Sequence, residues 1–196
     1  MSQLSRSVAA SDPVYPIKKS AYKSGEYYLP INFSNCMNTG GWAAADRIQL
    51  SPFIIHESIS IDTLFVYGST TGVGNIRLGV YNSDSDGMPS TVAFTAGTFV
   101  NSNAAIEVTF AAQTLTAGTY WLAAHHEDAS AIRVLAGQNG VSNISLIEHG
   151  SNDLNSARPM GHVYYSQAYS SGLPDLTSVA PSVTAHNTLS GGFKIA

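Results

Sequence analysis

Apolar and polar side chains alternate along most of this chain, and a period of two is typical of β-strands. In SISIDTLFVY (58–67), Ile59 and Ile61 occupy one parity, whereas Leu64 and Val66 occupy the other. A strand can keep both pairs on one face only if it contains an extra residue, so the pattern predicts a bulge near Asp62. The same alternation predicts strands in NIRLGVY (75–81), TVAF (91–94), GTFV (97–100), AIEVTF (105–110), GTYWLAAH (118–125), HVYYS (162–166) and GFKIA (192–196).

Turn-forming residues separate these strands. Gly, Pro, Asn or Ser bounds each of them, and the tight-turn dipeptide Asn139-Gly140 lies between two further strand candidates in residues 131–147. No segment has a convincing helical stripe, and WAAADR (42–47) fits either a short helix or extended chain. Short strands at this spacing predict an all-β fold, a single antiparallel, jelly-roll-like β-sandwich over residues 25–196.

The length of the chain agrees with one such domain. A protein of 196 residues buries roughly 70% of its unfolded surface, so it needs neither a disulfide nor a metal to fold. Cys36 is the single cysteine, and we expect a small buried hydrophobe there instead of a reactive thiol. If Phe193 and Ile195 pair into a sheet, the C-terminus lies inside the fold and the N-terminal segment is the only free handle.

The first 24 residues have a different charge from the rest. They hold Arg6, Lys18, Lys19 and Lys23 against Asp12 alone, a net charge of +3, whereas the remainder carries −7. This segment contains prolines and serines and shows no regular spacing of apolar residues. We therefore predict that residues 1–24 are an extended basic arm. The arm is either a plain tail or a segment that docks on an acidic partner surface. Nucleic acid is a poor partner, because the body is acidic.

Composition indicates a folded body with an unusual surface. Charged residues make up 11% of the chain, against about 25% in ordinary soluble domains, while 44% of the residues are hydrophobic. We therefore expect a polar but mostly uncharged surface, which suits repeated packing against copies or partners. The N-terminus lacks the apolar run of a signal peptide, and no stretch approaches the roughly 18 apolar residues of a membrane span. We expect a chain that is made and assembled in a cytoplasm.

The stretch NSDSDGMP has two interpretations. Asn82, Asp84 and Asp86, followed by glycine, match the first half of a calcium-binding loop, in which alternate oxygen-bearing side chains converge on the cation. The twelfth position of that pattern is Ala93, which cannot supply a bidentate carboxylate. Asp, Asn, Gly and Ser also form hairpin turns by bonding their own backbone. We predict a turn without a metal, and the three oxygen-bearing residues are the alternative metal ligands.

Sequence patterns of catalysis are scarce. His125 and His126, followed by Glu127 and Asp128, are expected in a polar loop and not in a metal site, because adjacent strand residues point to opposite faces. The chain has no Gly-x-Ser-x-Gly, no His-Glu-x-x-His and no phosphate-binding glycine loop. We predict that the protein is not an enzyme and holds no cofactor. A metal-dependent glycan hydrolase would require a cleft with two carboxylates at catalytic separation.

Aromatic residues have two interpretations as well. They could stack on sugars, although strand aromatics are more often core or cross-strand pairs. Because Tyr120 and Trp121 are adjacent on one strand, we expect one of them to point outward or to be covered by another chain. The residues concerned are Tyr27, Tyr28, Trp42, Tyr120, Trp121, Tyr164, Tyr165 and Tyr169.

An ordered set of motifs resembles a known family. KSGEYYLP (23–30), IRLGVYNSDSDGMPS (76–90), GTFV (97–100) and LTAGTYWLAAHHE (115–127) follow one another as in a β-sandwich domain of tailed-bacteriophage virion proteins. The resemblance covers roughly residues 23–127. It implies a turn at residues 82–89, a place in tail fibres, tail tips or head decoration proteins, and no catalytic residues. Carbohydrate-binding modules share the architecture, so the fold alone does not determine the function.

The sequence pattern of a fibre shaft would distinguish a tail fibre from the other virion roles. The chain contains no coiled coil, collagen-like repeat or β-helix of the kind that tail fibres use. We therefore expect a capsid decoration or cement protein, a homotrimer that binds the major capsid protein, without nucleic acid or membrane contacts. The alternative is a receptor- or glycan-binding head on a tail or head fibre.

Overall fold

Fourteen strands make up most of the described chain. The structure is a computed structural model that describes residues 22–28, 38–42, 44–68, 74–102, 104–129, 132–136, 147–148, 159–180, 182–185 and 187–196. The strands are β1 (Tyr27–Tyr28), β2 (Asn38–Trp42), β3 (Arg47–Ile55), β4 (Ile59–Tyr67), β5 (Asn75–Ser83), β6 (Pro89–Val100), β7 (Ala105–Leu115), β8 (Gly118–His126), β9 (Ile132–Ala136), β10 (Ile147–Glu148), β11 (Pro159–Ser166), β12 (Ser182–Ala185), β13 (Asn187–Leu189) and β14 (Gly191–Ile195). A single 3-10 turn, Tyr169–Ser171, is the only helical element in these ranges.

Two antiparallel sheets pack face to face and form a β-sandwich, which confirms the predicted fold class. The first sheet has the order β1-β14-β4-β7, and the second has the order β10-β11-β3-β8-β5-β6, with β12 also paired to β11. A smaller sheet has the order β13-β9-β2. Strands that pair, such as β4 with β14 and β3 with β11, are far apart in sequence, so long-range pairing closes the sandwich. The terminal strand β14 lies between β1 and β4, as its apolar residues predict.

The main core lies between these two sheets. Burying a Leu, Ile, Val or Phe side chain contributes about 1.5–3 kcal/mol, so this layer is the chief source of stability. The first sheet contributes Ile59, Ile61, Leu64, Val66 and Phe193, and the second contributes Phe53, Ile76, Leu78, Val80 and Leu122.

The predicted bulge in β4 is confirmed. All four apolar residues that define the shifted pattern face the core. Along β14, Lys194 lies opposite Thr63 and Ile195 lies opposite Ile61, so Asp62 is the extra residue. Because of this one inserted residue, the apolar residues before and after Asp62 point to the same face of the sheet, towards the core.

The central strand β3 (Arg47–Ile55) is absent from the sequence prediction, and β6 has other boundaries than predicted. The segments 91–94 and 97–100 belong to one continuous strand, β6, and are not two strands. Leu78 lies opposite Gly97, whereas the next residue of β5, Gly79, lies opposite Thr95. The sequence suggests a turn because it contains a glycine, but that glycine lies at a bulge inside a strand. At residues 42–47, β2 ends at Trp42 and β3 begins at Arg47, and Ala45 and Asp46 between them form a turn, so neither the helix nor the continuous extended chain is found in the described residues.

The outer face of the second sheet carries a further apolar layer. This layer contains Ile48, Leu50, Tyr81, Trp121, Ala123, Val163 and Tyr165. Residues 167–176, named here the cover segment, run across it. Leu173 and Leu176 pack against the layer, and the Leu176 amide donates to the Ser90 carbonyl oxygen at 2.9 Å. Because both faces of the second sheet are covered, nearly every residue of β8 is buried.

Several sequence-based expectations lie outside the described residues. They concern Arg6, Lys18, Lys19, Cys36 and the dipeptide Asn139-Gly140. The described chain begins at Tyr22, whose ring lies 5.0 Å from that of Tyr28 and 6.3 Å from that of Phe193, measured between ring centroids. Tyr22 therefore already packs against the core of the sandwich.

Candidate functional site

The stretch proposed as a turn or a calcium loop closes the hairpin between β5 and β6. Asp84 organises it: its carboxylate Oδ1 accepts the backbone amides of Asp86 at 2.9 Å and Met88 at 2.8 Å. Gly87 has φ +78°, in the left-handed region that favours glycine. The Asn82 amide group donates to Thr91 Oγ1 at 3.0 Å. These contacts are those of a turn, as predicted.

Metal ligation was the alternative for these residues. Asp84 Oδ1 is engaged by two backbone amides, and the Asn82 side chain is bonded to the neighbouring strand. In the part of the chain that the structure describes, no three His, Cys, Asp or Glu side chains are grouped closely enough to hold a metal ion. Next to the turn lies an open depression of about 430 Å³, lined mainly by polar residues of the turn and by the start of β8.

Trp121 connects this turn to the second sheet. Its indole Nε1 donates to the Gly87 carbonyl oxygen and to Ser83 Oγ, both at 3.1 Å. Tyr120, its neighbour on β8, points into the main core and is also buried. The expectation that one of the two points outward or is covered by another chain is therefore wrong. The second sheet is covered on both faces, and Trp121 lies in the layer under the cover segment.

Two motif residues on β5 hold the cover segment in place. The Tyr81 hydroxyl donates to the Pro174 carbonyl oxygen at 2.9 Å, and burial raises the pKa of this phenol far above its ordinary value. Gly79 leaves room for Leu173, because a Cβ there would lie 2.5 Å from Leu173 Cδ1. Burial, assisted by the charge of Asp84, raises the pKa of Tyr165 in the same layer to about 12.

Both histidines at the end of β8 are buried, so the expectation of a polar loop at these residues is wrong. They point to opposite faces, as predicted for neighbours on a strand. The His126 ring nitrogen Nε2 lies 3.1 Å from Gln49 Oε1 in the interior. His125 Nε2 lies 2.9 Å from the Gln167 carbonyl oxygen of the cover segment. Strand β8 continues through both histidines and ends at His126, one residue beyond the predicted range 118–125.

Polar groups surround His125 beneath the cover segment. The Arg77 guanidinium donates to the Tyr169 carbonyl oxygen at 2.9 Å and lies 4.3 Å above the Tyr169 ring. Asp46 Oδ1 accepts the Tyr169 amide at 2.8 Å. Burial lowers the pKa of His125, and the nearby Arg77 charge acts in the same direction, whereas the backbone of Gln167 and the charge of Asp46 act against it. His125 is therefore held in its neutral form.

Of the aromatic residues considered for sugar stacking, Tyr27 is the most exposed of those whose side chains the structure describes, at 49%. It lies on the outer face of the first sheet, where its hydroxyl donates to Glu107 Oε2 at 2.8 Å. Its ring meets that of Phe65 edge to face at 5.6 Å, and Lys194 Nζ lies 5.6 Å from its centroid. Tyr120, Trp121 and Tyr165, by contrast, are buried and cannot stack on a ligand.

Lys23 is the one residue of the predicted basic site within the described ranges. Its side chain is 71% exposed, and its ammonium group lies 4.0 Å from a carboxylate oxygen of Glu26. An exposed pair at that distance contributes little to stability. Lys23 is thus accessible at the point where the described chain begins.

Sequence reasoning missed the cover segment. It has no period of two, so a search for strands passes over it, although the apolar sequence Leu173-Pro174-x-Leu176 indicates burial. No helix in the described ranges is both long and apolar enough to cross a membrane. Comparisons with protein-family models, curated proteins and solved structures found no match.

Proposed function

We propose that this protein is a structural protein of a tailed-bacteriophage virion, assembled in the host cytoplasm. Its most specific role would be that of a capsid decoration or cement protein, which binds the shell of major capsid protein and stabilises it. It would act as a homotrimer through surface contacts, without catalysis.

The observation that carries this proposal is the nearly charge-free side of the sandwich formed by β6 and β7. Between residues 87 and 126, Glu107 is the only Asp, Glu, Lys or Arg. Removing a charge from water costs far more than removing a hydroxyl group, and removing a methyl group is favourable, so this side can be buried against another protein at low cost. The exposed residues there include Thr91, Thr95, Thr98, Thr109 and Thr114.

The geometry of this side favours contact through side chains. Strands β6 and β7 end the strand orders of the two main sheets. Bulges interrupt the pairing of β6 with β5 and the pairing of β7 with β4. Bulged edges are poor templates for adding another strand. We therefore infer that a partner packs onto the threonine-rich surface and does not extend the sheet.

The residues of the motifs that resemble virion sandwich domains have structural roles in this fold, and in this proposal none of them has a catalytic role. Gly79, Tyr81, Gly87 and Trp121 all belong to the joint between the β5–β6 turn, β8 and the cover segment. Each is required for packing or for a hydrogen bond that holds the sandwich together. Such motifs are expected in a family whose members share a fold and do not share a catalytic activity.

The basic arm would supply a second contact. In this proposal Arg6, Lys18, Lys19 and Lys23 dock on an acidic surface of a neighbouring virion protein. Ordering a residue costs about 1–2 kcal/mol, so the contacts with the partner must recover that free energy. Because Tyr22 packs against the core, a truncation that tests the arm should remove residues 1–21 and keep Tyr22.

Stoichiometry in purified particles tests the role directly. A decoration protein is expected on the order of hundreds of copies per particle, in line with the symmetry of the shell. A few dozen copies or fewer would favour a tail or vertex, and absence from particles would contradict a virion role. In solution the trimer would have a mass of about 62 kDa, three times the 20.7 kDa of one chain. A monomer would contradict a preformed trimer.

Matched variants test the β6–β7 side. Thr95→Lys combined with Thr109→Lys places two charges on the exposed surface of β6 and β7. Ser178→Lys adds a charge at an exposed turn beyond the cover segment and is the control. We expect the double variant to remain folded and to lose trimer formation or particle binding, while the control retains both. Full binding by the double variant would contradict the proposed contact side.

A glycan-binding head is the second candidate, and the half-exposed ring of Tyr27 favours it. Glu107 and Lys194 flank this ring and could bond sugar hydroxyls. Glycan-array binding that is lost in Tyr27→Ala but kept in Val179→Ala, an exposed apolar residue elsewhere, would support this function. No binding by the intact protein would contradict it.

A further inference from the structure

The cover segment is attached at its N-terminal end by a small set of polar contacts around His125. Gln167 accepts a hydrogen bond from the His125 ring through its carbonyl oxygen, and its amide donates to the Asp46 carbonyl oxygen at 2.8 Å. Tyr169 is held by the Arg77 guanidinium and by Asp46 Oδ1. Three of these four hydrogen bonds come from the side chains of His125, Arg77 and Asp46, and the fourth joins the backbones of Gln167 and Asp46.

The geometry fixes the tautomer of the neutral His125 ring. A carbonyl oxygen can only accept, so the Nε2 atom facing Gln167 must carry the hydrogen. In the neutral ring the other nitrogen, Nδ1, is therefore a bare acceptor, and it is buried with no hydrogen-bond partner among the described residues. The hydroxyl of Tyr169, whose ring lies 5.0 Å from that of His125, is likewise buried without a partner.

We propose that His125 is a pH-sensitive latch for the cover segment: protonation of its Nδ1 atom releases residues 167–172 from the outer face of the second sheet. Protonation would place a second positive charge beside Arg77 in a buried space. The backbone of Gly172, in the cover segment, favours the charged ring, but burial is the larger effect and opposes it. The net effect disfavours the closed arrangement.

The charged and titratable groups that face His125 come from three elements. Strand β5 contributes Arg77, which lies directly opposite His125 in the register, and β3 contributes the uncharged Ile48 on the other side. The turn before β3 contributes Asp46, and the cover segment contributes Tyr169. Asp46 favours the charged imidazole, but burial and Arg77 oppose it, and burial is the largest of these effects.

The direction of the pH effect follows from linkage. The closed form lowers the pKa of His125 from its ordinary value of 6.5, so the open form binds the proton more tightly. The closed form is fully favoured above about pH 6.5 and loses stability as the pH falls below it. Opening would uncover the apolar layer around Leu50 and Tyr81 without disturbing the main core between the sheets.

Hydrogen–deuterium exchange on the full chain tests this latch. Protection factors, which correct for the pH dependence of intrinsic exchange, would be compared at pH 7.5 and 5.5 for peptides covering residues 167–176 and for peptides of β4 and β14. One proton bound on opening predicts up to about a tenfold loss of protection in the cover segment. Protection of β4 and β14 should stay constant.

Two variants separate His125 from other titrating groups. His125→Gln keeps an N–H donor for Gln167 but cannot be protonated, so its cover segment should show no change in protection between the two pH values. His56→Gln, at an exposed histidine in the turn between β3 and β4, is the control and should behave like the natural chain. Equal losses in the natural chain and in His125→Gln would overturn the proposal. No loss in the natural chain would overturn it too.

If His125→Gln does not fold, the pH at which the cover segment of the natural chain opens still tests the assignment to His125. A histidine latch begins to open near pH 6.5, whereas carboxyl groups ordinarily titrate at about pH 4. Opening confined to pH values below about 4.5 would therefore refute the assignment to His125. Simultaneous loss of protection in β4 and β14 would also refute it, because that result is global unfolding.

Discussion

The indole Nε1 of Trp121 lies 3.1 Å from the carbonyl oxygen of Gly87, a residue 34 positions earlier in the chain. This contact joins the β5–β6 turn to the centre of the second sheet. It brings together a tryptophan on β8 and a glycine in the turn, which are far apart in the sequence. The two residues are parts of one structural joint, and that joint can be tested by single substitutions.

Trp121→Phe should destabilise the sandwich by about 1–2 kcal/mol, because the Gly87 carbonyl and the Ser83 hydroxyl lose their shared donor and part of the buried ring is removed. Urea unfolding followed by circular dichroism measures the change. Tyr120→Phe is the neighbouring control, since the Tyr120 hydroxyl only makes long contacts with Thr116 at 3.2–3.3 Å. Equal effects of the two substitutions would argue against a special role of the Trp121 contact.

Gly79→Ala should cost about 1–3 kcal/mol through overpacking. Its new Cβ would lie 2.5 Å from Leu173 Cδ1 and 2.9 Å from the Phe94 carbonyl oxygen. In Gly118→Ala the nearest atom to the Cβ lies 3.6 Å away, on Tyr120, so that control should change stability by less than about 0.5 kcal/mol. Denaturant midpoints of both variants compare the two sites. An unchanged midpoint for Gly79→Ala would mean that the cover segment does not press on β5.

Asp84 is predicted to act as an acceptor for the turn and not as a metal ligand. Asp84→Ala removes the acceptor of two backbone amides and should destabilise by about 1–2 kcal/mol, whereas Asp84→Asn keeps an oxygen and should be close to neutral. Thermal unfolding with and without a chelator completes the test. A large drop in the melting temperature on chelation, lost in Asp84→Asn, would instead establish the calcium alternative.

Tyr165 makes the sandwich sensitive to alkali. Its pKa is raised by burial from 10.0 to about 12, so the folded state favours the neutral phenol. The stability that this group contributes is complete below pH 10 and is lost as the pH rises towards 12. Urea midpoints should therefore fall between pH 9.5 and 11.5, by less in Tyr165→Phe, which has no group to ionise. Parallel declines in both proteins would show that another group is responsible.

The candidate site could be predicted only in part. The turn at Asp84 is predictable because an Asx side chain bonds the local backbone, an effect contained in a few neighbouring residues. Asn82 lies at the end of β5 and instead bonds Thr91 on the neighbouring strand. The positions of His125 and His126 could not be recognised, since their burial depends on partners such as Gln167 and Gln49, which are distant in sequence. The same reasoning applies to Trp121, whose face of the sheet is covered by residues that follow β11.

The sequence by itself determined the all-β class, most of the strands and the bulge at Asp62, because a period of two and its slips are local consequences of alternating side chains. Only the tertiary structure decided which faces are covered. The cover segment lies on β5 and β8 through hydrogen bonds from Tyr81 and Arg77 to residues more than ninety positions away. Such contacts depend on how the chain returns in space, and no short stretch of sequence carries that information.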